Sequence, residues 1–241
     1  MRQVSRGICA LCQREMSKSA MTRHLEVCRQ QSMPGDPAKQ QSQKTNTFHL
    51  LVEGRRLPMY WLHLEVTTET TLATLDRFLR GIWLECCGHL SSFEISGVCY
   101  ESYDEERSNI WNWLPRRRQS MQVAVEQVLS PGQSCSYEYD FGSTTALTLK
   151  VLGARQREAQ GKAIRVLARN TLPPLPCALC GKPAVNRCER CVAQGAAIRY
   201  LCEACAETHL CGKEPLVQIR RVNSPREGVC GYTGSTNPEY L

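Results

Sequence analysis

FHLLVEGRRLPMYWLHLEV, residues 48–66, sets the class of the fold. Both halves are rich in β-branched, aromatic and leucine side chains, and Gly54 and Pro58 bracket a turn between them, so the stretch reads as two antiparallel strands. Directly after it, TTETTLATLDRFLRGIWL sets Leu72, Leu75, Phe78, Leu79 and Ile82 at helical spacing behind threonines that can cap. This spacing predicts a helix over about 71–84.

Farther on, HLSSFEISGVCYES alternates as a strand does, while MQVAVEQVL fits a short helix or a strand equally. CSYEYDFG and TTALTLKVL form a strand pair turning at Gly142, and KAIRVLARN supplies a last strand. The expected fold is α+β: a small mixed or antiparallel sheet packed on one main helix, over residues 46–171.

Cysteine-rich segments flank this core. Residues 1–29 read as a ββα-type finger, 30–45 as a flexible Gln/Pro/Gly linker, and 172–176 as a proline linker. Residues 177–215 read as a double zinc-binding domain and 216–241 as a C-terminal tail. The chain has no run of about 18 apolar residues and no apolar signal segment at its start, so no membrane association and a cytoplasmic location are expected.

In a reducing compartment, fifteen cysteines grouped largely as C-x2-C pairs with histidine nearby point to metal rather than disulfides. The C-terminal run offers Cys177, Cys180, Cys188, Cys191, Cys202, Cys205, His209 and Cys211, enough for two closed tetrahedral zinc sites. Two pairings are open. An interleaved one sets Cys177, Cys180, Cys202 and Cys205 on one ion and Cys188, Cys191, His209 and Cys211 on the other; a sequential one splits the run in the middle. The interleaved form is preferred because it ties a segment with little core into one unit. Its spacing loosely resembles B-box and MYND-type fingers.

At the N-terminus, Cys9, Cys12, His24 and Cys28 form a C2HC set for a third zinc ion, with His24 and Cys28 on one helical face and Met16 and Met21 as the small finger core. If three ions bind, their thiolate ligands reduce the formal charge of +7 to about +3, so the global charge says little about a polyanionic partner. Locally, Lys18 and Arg23 on the finger helix could meet DNA. Trp111, Trp113, Arg116, Arg117 and Arg118 combine stacking platforms with phosphate contacts, and Arg155, Arg157, Lys162, Arg165 and Arg169 could widen that face. The competing readings are a finger that binds protein or caps the chain, and a solvated basic turn anchored by its tryptophans. Cys86, Cys87, Cys99, Cys135 and Cys230 read mostly as buried or incidental thiols.

The segments FHLLVEGRRLPMYWLHLEV, TLATLDRFLRGIW, GHLSSFEI and YEYDFGSTTALTLKVL, with the tail VNSPREGVCGYTG, occur in an order that resembles the plasmid pRiA4b ORF-3-like family, whose members include insertion-sequence passenger proteins. The resemblance covers about Phe48 to Gly234. It implies a compact α+β domain without established enzymatic chemistry and an association with mobile DNA, and it singles out His89, Asp140, Phe141 and Gly142 as motif residues. Those residues have a simpler role as well, with Gly142 giving the hairpin a positive φ and Asp140 bonding turn amides.

No nucleophile elbow, P-loop or H-E-x-x-H motif is present, although Glu138 with Asp140, or Asp104 to Glu106, could hold magnesium in a nuclease. The sequence therefore leads to a non-enzymatic zinc-binding protein that contacts DNA or RNA. The alternative is an adaptor that docks a protein partner through its C-terminal zinc unit.

Overall fold

A computed structural model describes residues 5–31, 44–102, 118–158, 161–194, 200–211 and 216–235. The described residues up to Thr171, together with those from Asn223, form one compact unit, and Leu172–Val222 form a second.

The first unit is built on β3 (Lys44–Gly54) and β4 (Trp61–Thr67), the pair read from residues 48–66. Their antiparallel register sets Phe48 opposite Val66, Leu50 opposite Leu64 and Val52 opposite Leu62. Side chains alternate across a strand, so these residues share a face. That face is covered by α2 (Leu72–Leu79), whose Leu72, Leu75 and Leu79 are buried in the same core. Thr71 caps α2, its hydroxyl accepting from the Thr74 amide at 3.2 Å. The helix then widens into a π-helical turn, Arg80–Leu84, which buries Ile82, Trp83 and Leu84.

The opposite face of β3 and β4 is buried too. Leu51 and Trp61 pack there against Met21 and Leu25 of α1 (Lys18–Gln31), the finger helix. The finger's hairpin, β1 (Arg6–Cys9) with β2 (Glu15–Ser17), extends the same sheet by pairing Gly7 with Asn170 and Cys9 with Ala168 of β10 (Ile164–Asn170). Gly7 cannot carry a side chain: a Cβ there would lie 2.4 Å from both the Arg169 carbonyl oxygen and Trp61 Cη2.

The expectation of a small sheet on one main helix is therefore corrected. Among the described residues the sheet has ten strands in the order β2-β1-β10-β4-β3-β9-β8-β5-β6-β7, and β6 with β7 is its parallel pair. The added members are β5 (Ser91–Ile95), β6 (Val98–Glu101), β7 (Arg118–Ser120), β8 (Ser134–Tyr139) and the long β9 (Thr145–Glu158). Helical α2 has only eight residues, and α3 (Val125–Val128) is a single turn within MQVAVEQVL. The finger contributes two strands to this sheet rather than standing apart, and most of the expected linker at 30–45 lies outside the described residues.

The face under α1 also buries charge. Glu65, fully buried, receives Arg29 at 2.8 Å and Arg155 at 2.5 Å on Oε1, with Arg157 at 3.3 Å and Arg165 at 3.5 Å from Oε2. Burial opposes ionisation of Glu65, but hydrogen bonds from Arg155 and Arg29 overcome it and hold the carboxyl below its ordinary range. Beside it His49 Nε2 lies 2.9 Å from His63 Nδ1. Burial first, and then neighbouring positive charge, lower His63 to about 4 and His49 to about 2.

Past β10, Asn170 and Asn223 grip one another: Asn170 Nδ2 donates to Asn223 Oδ1, and Asn223 Nδ2 to the Asn170 carbonyl, each at 2.6 Å. From there the segment Asn223–Ser235 docks back on the first unit, where Ser224 donates to the Trp83 carbonyl at 2.6 Å and Arg226 is fully buried. The second unit holds a three-stranded sheet, β12-β11-β13, made of β11 (Asn186–Cys188), β12 (Tyr200–Leu201) and β13 (Leu216–Gln218). Short helices α4 (Glu189–Ala193) and α5 (Glu203–Glu207) complete it, around a small core of Cys177, Leu201, Cys202 and Ala206.

Candidate metal centres

Among the described residues, four groups of side chains bring their ligand atoms within 4.8 Å of one another, each with three or four cysteine sulfurs. Thirteen of the fifteen cysteines belong to these groups, leaving Cys99 and Cys135. All fifteen are free thiols.

In the finger, Cys9 ends β1, Cys12 lies in the hairpin, and His24 and Cys28 stand one turn apart on α1. Cys12 Sγ is 3.2 Å from His24 Nε2, and Cys9 Sγ is 3.9 Å from Cys28 Sγ. In the second unit the structure gathers Cys177, Cys180, Cys202 and Cys205 in one set and Cys188, Cys191, His209 and Cys211 in the other, which is the interleaved arrangement. Within these sets Cys180 and Cys202 sulfurs are 3.5 Å apart, and Cys191 Sγ lies 3.3 Å from Cys211 Sγ and 3.4 Å from His209 Nε2.

These separations suit a tetrahedral ion. A metal–sulfur bond of about 2.3 Å gives S···S edges of about 3.8 Å, whereas a disulfide needs about 2.05 Å. The knuckles are shaped for thiolates: Gly181 takes φ +74° after Cys180, and its amide donates to the Cys177 carbonyl at 3.0 Å. Burial opposes ionisation of Cys177, but amides of Cys202, Cys180 and Leu179 aimed at its sulfur lower the thiol to about 6.

The fourth group, Cys86, Cys87, His89 and Cys230, was missed by sequence reasoning. Three of its members lie in the loop after the π-helical turn and the fourth 141 residues farther along, 3.4 Å from His89 Nε2. The local signal was Cys-Cys-x-His, one short of a ligand set, and nothing in the spacing announces its partner in the tail.

Beside it stands the motif residue Asp140. Its Oδ1 accepts the Gly142 and Ser143 amides at 3.0 and 3.1 Å, and its Oδ2 accepts from Arg226 at 2.7 Å and lies 3.5 Å from His89 Nε2. Arg226 first, with the two turn amides, holds Asp140 down at about 2. The left-handed residue of this hairpin is Asp140, at φ +63°, rather than Gly142. Asp140 thus bonds the turn and lies between His89 and a buried arginine.

Residues 47–180 match the sequence family described as Plasmid pRiA4b ORF-3-like protein. The chain belongs to this family. No curated protein sequence matches it. Among solved structures, a protein of unknown function from Methanosarcina mazei Go1 aligns at 14% identity with a TM-score of 0.44, covering 52% of this chain and 69% of that one.

In this pRiA4b ORF-3-like chain, the remaining candidate residues are scattered. Lys18 is paired with Glu53 and donates to the Pro58 carbonyl at 3.2 Å, whereas Arg23 on the same helix is exposed. Trp111, Trp113, Arg116, Arg117 and the acidic run Asp104 to Glu106 lie outside the described residues, and Arg118 opens β7 in an ion pair with Glu101 at 3.2 Å. Phe141 is half exposed in the hairpin. Glu138 and Asp140 are each matched to an arginine, Arg55 at 3.3 Å and Arg226 at 2.7 Å, instead of facing a common ion. Arg155, Arg157 and Arg165 converge on Glu65, and Arg169 donates to the Asn223 carbonyl at 2.9 Å. Among the described residues, no helix is long and apolar enough to cross a membrane.

Proposed function

We propose that this chain is a non-enzymatic, zinc-stabilised protein that binds nucleic acid. Thiolate-rich sets of four suit zinc, and four protein ligands leave no open position for a catalytic water, so the ions in the finger and the second unit are structural. Ligands that must stay reduced fit a cytoplasmic setting.

The observation that carries the nucleic-acid reading is a cleft of about 460 Å³ between α2 and the start of β10, lined by Arg77, Phe78, Lys162 and Arg165 among others. Arg77, Lys162 and Arg165 are exposed, and Phe78 offers a half-buried ring beside them. Cations set around an aromatic platform are what an unstacked base and its phosphates require, and the sequence-tolerant mode fits a protein with a single finger. Salt-series anisotropy on short single-stranded and duplex DNA and RNA tests this. The triple change Arg77→Ala, Lys162→Ala, Arg165→Ala is expected to weaken single-strand binding and flatten the log–log salt slope by about 2. A slope and affinity equal to the parent chain's would overturn the reading.

A protein-interaction role is the second reading, favoured by Leu179, Leu210 and Val217, which the zinc-bearing second unit leaves 53%, 99% and 41% exposed. A protein captured by the full chain, lost on changing these three residues to serine while oligonucleotide binding is absent, would favour it.

A further inference from the structure

We propose that Cys86, Cys87, His89 and Cys230 bind a fourth zinc ion, and that this ion fastens the segment Asn223–Ser235 to the sheet. The four ligand atoms gather within 4.8 Å, with Cys87 Sγ lying 3.5 Å from Cys86 Sγ, 3.7 Å from Cys230 Sγ and 3.0 Å from His89 Nε2. Three thiolates and an imidazole form a complete tetrahedral set, of the same composition as the finger's.

Neighbouring cysteines do not meet at one point in regular backbone. Here the loop is curled by Gly88, at φ +77°, whose amide donates to Glu85 Oε1 at 2.6 Å. Tyr139 anchors the same loop: its hydroxyl donates to Glu85 Oε1 at 2.9 Å and receives the His89 amide at 3.3 Å. On the other side Cys230 is held at φ +50°, an uncommon conformation for a side chain with a Cβ. Cys87 and Cys230 are also exposed, so packing of apolar thiols does not account for their meeting.

Charge supports the same assignment. Three thiolates with one zinc ion carry a net charge of −1, and the Arg226 guanidinium donates to Cys86 Sγ at 3.4 Å. Arg226 is fixed for this by Asp140, by the Ser143 carbonyl and Thr145 hydroxyl at 3.1 and 3.0 Å, and by the Tyr139 ring 4.8 Å away. A cation held against a ligand sulfur from outside the coordination set is a second-shell contact that favours the ionised ligand. The tail thus supplies both a ligand, Cys230, and the charge that balances the set, Arg226. This assignment stands apart from the nucleic-acid reading.

The test uses the full zinc-loaded chain and two readouts. By elemental analysis, Cys87→Ser/Cys230→Ser is expected to bind one zinc ion fewer than the parent chain, and amide exchange across residues 227–232 is expected to rise while β8 and β9 stay protected. In the parent chain, Cys87 and Cys230 are expected to resist alkylation despite their exposure until a chelator is added, a readout that does not depend on the variant folding. An unchanged zinc count, rapid alkylation of either thiol in the zinc-loaded parent, or a Cys87–Cys230 disulfide in the reduced preparation would overturn the proposal.

Discussion

Glu65→Gln removes the one carboxylate on which four arginines converge, and the cost can be worked from their exposure. Arg29 and Arg157 are 7% and 4% exposed, so both would keep a guanidinium in a region water hardly enters, with the anion gone. Breaking a buried pair from one side costs about 3–5 kcal/mol. Arg155 and Arg165, 26% and 42% exposed, add little because solvent screens them. The expected loss is therefore about 3–5 kcal/mol, a large share of the roughly 5–15 kcal/mol that holds a domain together. Urea unfolding of the zinc-loaded chain, followed by tryptophan fluorescence to which buried Trp61 and Trp83 contribute, measures it. At constant slope the midpoint is expected to fall by roughly 1–3 M. Because the folded Glu65 carboxyl sits below its ordinary value, its stabilisation is present above about pH 4.5 and fades as pH falls through the folded pKa, so the gap between the two proteins narrows in acid. Arg165→Ala, as the control, is expected to stay within about 1 kcal/mol. A Glu65→Gln protein within about 1 kcal/mol of the parent would show that the arginines reach water and that the network does not support the fold.

Gly7→Ala forces a methyl into Trp61 and the Arg169 carbonyl, and about 1–3 kcal/mol of overpacking is expected to lower the thermal midpoint by several degrees in scanning calorimetry. The buried histidines make an acid-sensitive pair: their folded pKa values, about 4 for His63 and 2 for His49, lie below the unfolded 6.5. Their contribution is full above pH 6.5 and drains away as pH falls toward 4, so His63→Gln is expected to flatten the urea midpoint against pH over that interval relative to the parent. Chelation is expected to melt the second unit before the first, since its small core is Cys177, Leu201, Cys202 and Ala206, of which two belong to a candidate ligand set and the other two adjoin it in sequence. Amide exchange during chelator titration checks this, and equal loss in β3 and β4 would refute it.

The strand pair at 48–66 was legible because Gly54 and Pro58 punctuate it and its leucines and valines alternate. That both faces are covered was not legible, because His63 and Glu65 alternate with Leu62, Leu64 and Val66 as solvent-facing positions do, yet all seven residues from Tyr60 to Val66 are buried. The apparent gap at 30–45 suggested a free finger, and pairing of β1 with a strand some 160 residues away has no local signature. The ligand sets with C-x2-C spacing could be read because a knuckle is a local device. The Cys86, Cys87, His89 and Cys230 group could not, because it exists only once the tail has returned to the sheet. Lys18 looked available on a helical projection, yet Glu53 from a neighbouring strand engages it.

The mutual grip of Asn170 and Asn223 fixes where the chain leaves the sheet and where it comes back, a hydrogen bond apart. Everything between them enters and exits through a single gate. Such a stretch can be lengthened, exchanged or excised over evolutionary time with little strain on its host, because the ends it must join are already adjacent. The cysteine-rich second unit is in that sense a cassette, inserted in the chain between two residues that the first unit already holds together.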